Sequence, residues 1–116
     1  MTVTNVSDNS APAEYLTRMT DQDICYPILL FKIDGVDTPR ETVMRHIAYV
    51  KSLDDAGKLV LAGPFENYAG GMVIVRAESI DAATKIAESD PFVTEGVRTF
   101  EVRKWLLANR ENGYLG

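Results

Sequence analysis

The run Tyr26-Pro27-Ile28-Leu29-Leu30-Phe31-Lys32-Ile33 is apolar at nearly every position, odd and even alike. A strand turns successive side chains to opposite faces of its sheet, so this run fits a central strand covered on both sides. Pro27 stands near its start, where a strand tolerates a missing donor. Gly71-Met72-Val73-Ile74-Val75-Arg76-Ala77 has the same two-faced character. A fold for this chain must therefore cover both faces of a sheet at its centre.

The rest of the chain supplies the connections. Thr, Ser, Asn, Asp and Pro dominate residues 1–12, and residues 1–23 read as an arm outside a folded domain at 24–116. Asp34-Gly35-Val36-Asp37 is a turn. Thr38-Pro39-Arg40-Glu41 opens a helix, with Thr38 as N-cap, Pro39 at the first position and Glu41 closing a capping box. Val43, His46, Ile47, Val50 and Leu53 then share one side, Arg45 and Ser52 point away, and Gly57 stops the helix. Residues 58–65 form a second strand, broken near Gly63-Pro64, and a loop leads to the third. Residues 79–88 form a second helix capped by Ser79, and Pro91 holds Asp90 away from helical geometry. Residues 97–107 form a fourth strand, and 108–116 a polar tail.

The order β-α-β-β-α-β is the ferredoxin-like pattern, an α+β fold with an antiparallel sheet and two helices on one face. Its other face would leave several Leu and Ile side chains wet, each forgoing roughly 1.5–3 kcal/mol of burial. The simplest cover is the same sheet of a second copy. The expectation is a homodimer packed sheet to sheet, of the dimeric α+β barrel type.

Charge and composition exclude several classes. The net charge of −5 and pI near 4.8 offer no basic stripe for nucleic acid or an anionic membrane. No apolar run approaches the roughly 20 residues of a membrane span, and residues 1–9 do not read as a secretory signal. Cys25 is the only cysteine, which rules out an internal disulfide and fits a cytoplasmic protein. One histidine and no dense carboxylate cluster make no metal site. Gly70-Gly71 lacks both phosphate-loop spacings, and no cofactor is expected.

His46, the single histidine, falls on the inward side of its helix. A core histidine satisfied by its neighbours is the competing reading. The second feature is Asp90-Pro91-Phe92. Asp90 lies where the second helix ends, and a carboxylate there faces the negative end of the helix dipole, unfavourable by up to about 1 kcal/mol. A protonated imidazole nearby would offset this, although an Asp-Pro turn also ends helices with no chemistry involved. Both helices lie on one face of the sheet, so His46 and Asp90 are able to meet. An imidazole with an orienting carboxylate suits general acid–base work.

His46-x-x-Tyr49-Val50, Gly57-Lys58-Leu59, Ala62-Gly63-Pro64, Gly70-Gly71, Ala82-Ala83, Asp90-Pro91-Phe92, Gly96 and Trp105 together resemble the YCII-related family over about residues 26–107. The resemblance implies a ferredoxin-like fold that dimerises through its sheets. It also implies a histidine–aspartate active site, which here means His46 and Asp90. Family members include enzymes that remove chloride from chlorinated hydroquinones, modules fused to other enzymes, and many without an assigned activity. Residues 1–23 have no counterpart in the family pattern.

Around that pair, Gly63-Pro64 bends a strand where a ligand's approach needs bare backbone, Phe65 and Phe92 offer apolar walls, and Tyr49 offers a rim. Each has packing as its structural alternative. Two functions follow. One is a small cofactor-independent lyase or isomerase, using His46 and Asp90 as catalytic residues on a small carbonyl or chloroaromatic-derived compound. The other is a non-catalytic dimeric module that binds a small molecule or accompanies an enzyme.

Overall fold

The structure, a computed structural model, describes residues 20–114. Most of the arm expected at 1–23 lies outside the described residues. The elements are a 3₁₀ turn Asp21–Asp23, β1 (Ile24–Lys32), α1 (Arg40–Asp55), β2 (Leu59–Pro64), β3 (Gly70–Val75), α2 (Ile80–Glu88), α3 (Pro91–Thr94), β4 (Arg98–Val102) and the two-residue β5 (Trp105–Leu106). By internal contacts they fall into a unit Cys25–Trp105 and a second that joins the described parts of Met1–Ile24 and Leu106–Gly116.

In the larger unit the strands run in the order β2-β3-β1-β4, all antiparallel. This is the ferredoxin-like α+β fold, with the two-faced strands β1 and β3 at its centre. Tyr26, Ile28 and Leu30 are matched in register with Val75, Val73 and Gly71, and all lie on the helix-bearing face. Tyr26, Ile28, Leu30, Val73 and Val75 are buried there, and Ala83 and Ala87 of α2 and Leu53 of α1 are buried as well. On the opposite face Cys25, Pro27 and Ile74 are buried, whereas Phe31 and Leu61 remain exposed. Among the described residues no helix is long and apolar enough to cross a membrane.

Several local readings need correction. Thr38 does not cap α1. The helix starts one residue later, with Pro39 at its N-cap and no side-chain cap, because the Thr38 hydroxyl accepts a hydrogen bond from Arg98 instead. The second strand is not broken at Gly63-Pro64, which remain paired with Met72 and Gly71. The irregularity falls between Leu59 and Leu61, where Val60 is the extra residue. The fourth strand is shorter than expected and divides at Arg103-Lys104. Residues 91–94 form a short third helix. At the end of α1 the expected Gly57 stop takes a specific form. Gly57 adopts φ +73°, Lys58 N–H donates to Leu53 O and Gly57 N–H to Asp54 O, a Schellman closure.

In the smaller unit, Asp23 accepts hydrogen bonds from the Thr20 amide, the Thr20 hydroxyl and the Asn109 side-chain amide. Asn109 and Asn112 exchange backbone-to-side-chain bonds, and Asn112 also donates to Leu107 O. The described part of the expected polar tail is thus a hydrogen-bonded turn with a buried asparagine.

Candidate active site

His46 stands midway along α1 and Asp90 in the joint between α2 and α3. His46 Nδ1 lies 2.8 and 2.9 Å from the two carboxylate oxygens of Asp90. Asp90 is only 4% exposed. An ionised carboxylate only accepts, so a neutral ring that meets one carries its hydrogen on Nδ1 and its lone pair on Nε2. Among the described residues Nε2 has no hydrogen-bond partner, and no buried side-chain nitrogen or oxygen lacks one. Nε2 is therefore reached from outside.

The reason Asp90 sits there differs from the one expected. Its carboxylate does not oppose the end of α2, whose C-cap is Ser89. It caps α3, accepting from Phe92 N–H at 2.8 Å, with Pro91 at the first position. One carboxylate thus satisfies a helix start and an imidazole together. Phe92, delivered by that same short helix, stacks on His46 with ring centroids 3.8 Å apart and planes 10° apart. A contact of this kind is worth roughly 0.5–1.5 kcal/mol and fixes the plane of the imidazole.

A second link ties α3 to α1. Arg45 donates to Glu95 through Nε at 2.7 Å and Nη2 at 2.6 Å, and Thr42 donates to the same carboxylate at 2.8 Å. Arg45, followed by the Thr42 hydroxyl, holds the Glu95 carboxyl down to about 2. Arg45 points away from His46, as its helical position predicts, yet it is engaged rather than merely solvated.

Between α1 and the sheet lies a cavity of about 330 Å³. His46, Phe92 and Arg98 border it, with apolar walls from Leu30, Val43, Val50 and Val73. This explains a peculiarity of α1. Its inward stripe is only partly buried, and Ile47 is 52% exposed, because the stripe faces open space rather than side chains. Apolar atoms facing a void lose the contacts a filling group would supply.

The cavity gathers some of the expected site residues and not others. Gly63 and Pro64 border it with His46 and Phe92. Phe65 does not line it and is exposed at the head of the following loop. Tyr49 lines a separate depression with Ile86 and Ser89 and donates its hydroxyl to Ile86 O at 2.7 Å. Burial, then the charge of Asp90, push the Tyr49 phenol up, which keeps it a donor.

Gly71 has a different task from ligand approach. A Cβ there would meet Gly63 O at 2.7 Å and Pro64 Cα at 3.0 Å, so its bareness serves the sheet at the cavity floor. Among the described residues no group of three His, Cys, Asp or Glu is placed to hold a metal.

Arg98 and Tyr68 are cavity residues that the sequence reading did not single out. The signal for Arg98 was present. It alternates with Phe100 and Val102 on the inward side of a strand, where a charge is out of place. Tyr68 carries no comparable signal, since its loop position gives no face.

The YCII-related domain matches residues 26–106. The chain belongs to the YCII-related family. Among its relatives, the protein YjpA of Bacillus subtilis strain 168 is 29% identical over 82 residues, covering 71% of this chain and 96% of YjpA. The protein YciI of Escherichia coli O6:H1 is 32% identical over 76 residues, covering 57% of this chain and 78% of YciI. Among solved structures, the fold is shared with 5-chloro-2-hydroxyhydroquinone dehydrochlorinase (TftG) of Burkholderia phenoliruptrix AC1100, in its complex with 2,5-dihydroxybenzoquinone. The TM-score is 0.50 at 24% identity, covering 71% of this chain and 94% of TftG.

Proposed function

We propose that this YCII-related protein is a small, cofactor-independent enzyme that moves a proton on a small carbonyl or chloroaromatic-derived compound. His46 Nε2 takes the proton, and Asp90 fixes the tautomer and stabilises the imidazolium that forms. The electron pair released from carbon then forms a new double bond. Either a leaving group such as chloride departs, or the proton returns at a second carbon, giving a lyase or an isomerase. The single observation that carries this reading is the bidentate approach of Asp90 to Nδ1, with Nε2 left without a partner among the described residues beside an apolar cavity. Family membership adds that the fold is compatible with such chemistry, since TftG is a dehydrochlorinase.

Gly63, Pro64 and Phe92 are assigned to substrate contact, with Phe65 and Tyr49 at the margins of the site. The exposed Phe31 and Leu61 lie on the sheet face away from the helices, and a second copy of the chain is proposed to cover them. The enzyme would act in the cytoplasm as a homodimer, and light scattering on the purified chain tests its mass.

The test of function is a panel of small carbonyl compounds and chlorinated hydroquinones in D₂O, read for deuterium uptake and chloride release. Wild type should be active on at least one compound, and His46→Gln should not. Equal rates in the two would end the acid–base reading. Binding without turnover in either would make the cavity that of a non-catalytic ligand-binding module.

A further inference from the structure

Proton transfer at His46 leaves Arg98 without a task. Arg98 opens β4 on the helix-bearing side of the sheet and borders the cavity. Its Nη1 donates to Thr38 Oγ1 at 2.8 Å and to Val97 O at 2.9 Å, which anchors one end of the guanidinium. Its carbon centre lies 4.9 Å from the centroid of Phe92. The remaining donors, on Nε and Nη2, meet no acceptor among the described residues, and they are not sealed in.

The charge around Arg98 is unbalanced. No carboxylate among the described residues stands within ion-pair distance of it. Lys32 is matched with Arg98 across β1 and β4, so both side chains leave the sheet on the same side, and Lys32 also lacks a carboxylate partner among those residues. Like charges facing each other across a strand pair repel. The carboxylates at the two ends of α3 are already engaged, Asp90 by His46 and Phe92 and Glu95 by Arg45 and Thr42.

We infer that Arg98, reinforced by Lys32, is the anion-binding side of the cavity. The compound held there is a small monoanion, an oxyanion on a flat apolar body. Carboxylate, phenolate and enolate share that chemistry, and the open guanidinium edge presents donors in the spacing such oxygens accept. The apolar walls accommodate the body, and Arg98 supplies the charge they lack. This inference deepens the proposed function by naming the substrate class of the same cavity, but it does not depend on proton transfer. If transfer does occur, the same guanidinium stabilises the enolate or phenolate that develops as His46 takes the proton.

Benzoate and benzamide, alike in shape and different in charge, test this by titration calorimetry on the full chain. Wild type should bind benzoate about 10- to 100-fold more tightly, the range of a charge-assisted contact. The preference should weaken with added salt. Arg98→Met should bring the ratio close to one, with the loss of affinity falling mainly on benzoate. His46→Gln should keep the preference even where it abolishes turnover, so failure of the anion site and failure of the acid–base reading are told apart. No preference in wild type, or a preference that survives Arg98→Met, overturns the inference. If Arg98→Met loses its native amide spectrum, NMR of wild type decides. An Arg98 Nε–H resonance that moves with benzoate and not with benzamide supports the site, and one that stays fixed overturns it.

Discussion

Asp23 and Asp90 are both buried aspartates, and the chain uses them in opposite ways. Asp23 accepts from neutral, fixed donors, the Thr20 amide and hydroxyl and the Asn109 and Asn112 side chains. The Thr20 amide, then Asn109, hold its carboxyl below the usual range. Nothing in that ring of donors is able to carry a proton away. Asp90 accepts from one fixed donor, Phe92 N–H, and from one titratable ring whose second nitrogen is open beside a cavity. Burial and hydrogen bonding are common to both. What separates a staple from a candidate reaction centre is whether the partner of the carboxylate has a second, accessible proton site.

The largest expected effect falls on Asp90. Asparagine caps a helix about as well as aspartate, so Asp90→Asn should leave α3 in place while offering an amide donor to Nδ1. The ring hydrogen then moves to Nε2, and the base is lost. Turnover should fall roughly 10²–10⁴-fold, the usual worth of a general base, and ¹⁵N NMR of the single histidine should report the tautomer change. Asp23→Asn should do the reverse, lowering the urea midpoint with turnover retained. If the two variants behave alike, the contrast between the carboxylates is lost.

A steric substitution separates the shape of the cavity from its acid–base pair. Gly71→Ala pushes a Cβ against the Gly63 carbonyl and Pro64 Cα. It should cost about 1–3 kcal/mol in stability by overpacking, measured by urea unfolding, and leave the histidine tautomer unchanged.

A smaller effect appears in acid. The folded Glu95 carboxyl is lowered from 4.5 to about 2 by Arg45 and Thr42. A depressed carboxyl stabilises the fold above its unfolded value, and that contribution disappears as pH falls from about 4.5 towards 2. Glu95→Gln should therefore reduce the acid loss of the urea midpoint in that window. Asp23, lowered in the same direction, should keep a residual slope in that variant.

The smallest expected signal is chemical. Cys25 is 1% exposed, and burial pushes its thiol up despite the charge of Arg76. It should react with a thiol reagent only as fast as the protein unfolds. Rapid reaction in native conditions would mean that this part of the sheet opens on its own.

Much of the fold was legible because it depends on short-range pattern. Two-faced apolar runs identified β1 and β3 as central strands, and helical periodicity put His46 on the inward side of α1. Ser79 caps α2 as expected, accepting from Ala82 N–H. The pairing of His46 with Asp90 was also foreseen, but for a different reason. The expected cause was repulsion at the end of α2, whereas the observed one is the capping of α3, a four-residue helix too short to show a period.

The sequence by itself determined the order of the four longer strands and two longer helices and the inward placement of His46, since periods of two and 3.6 are properties of the local backbone. It also carried the family resemblance. Only the tertiary structure decided which partners the side chains took. Thr38 was free to cap its helix and instead receives Arg98, 60 residues away. Arg45 was free to remain in water and instead grips Glu95. Tyr49 turned aside to Ile86, and the stripe on α1 was left facing a cavity. Such choices depend on which long-range groups arrive within about 3 Å, and no local period encodes that distance.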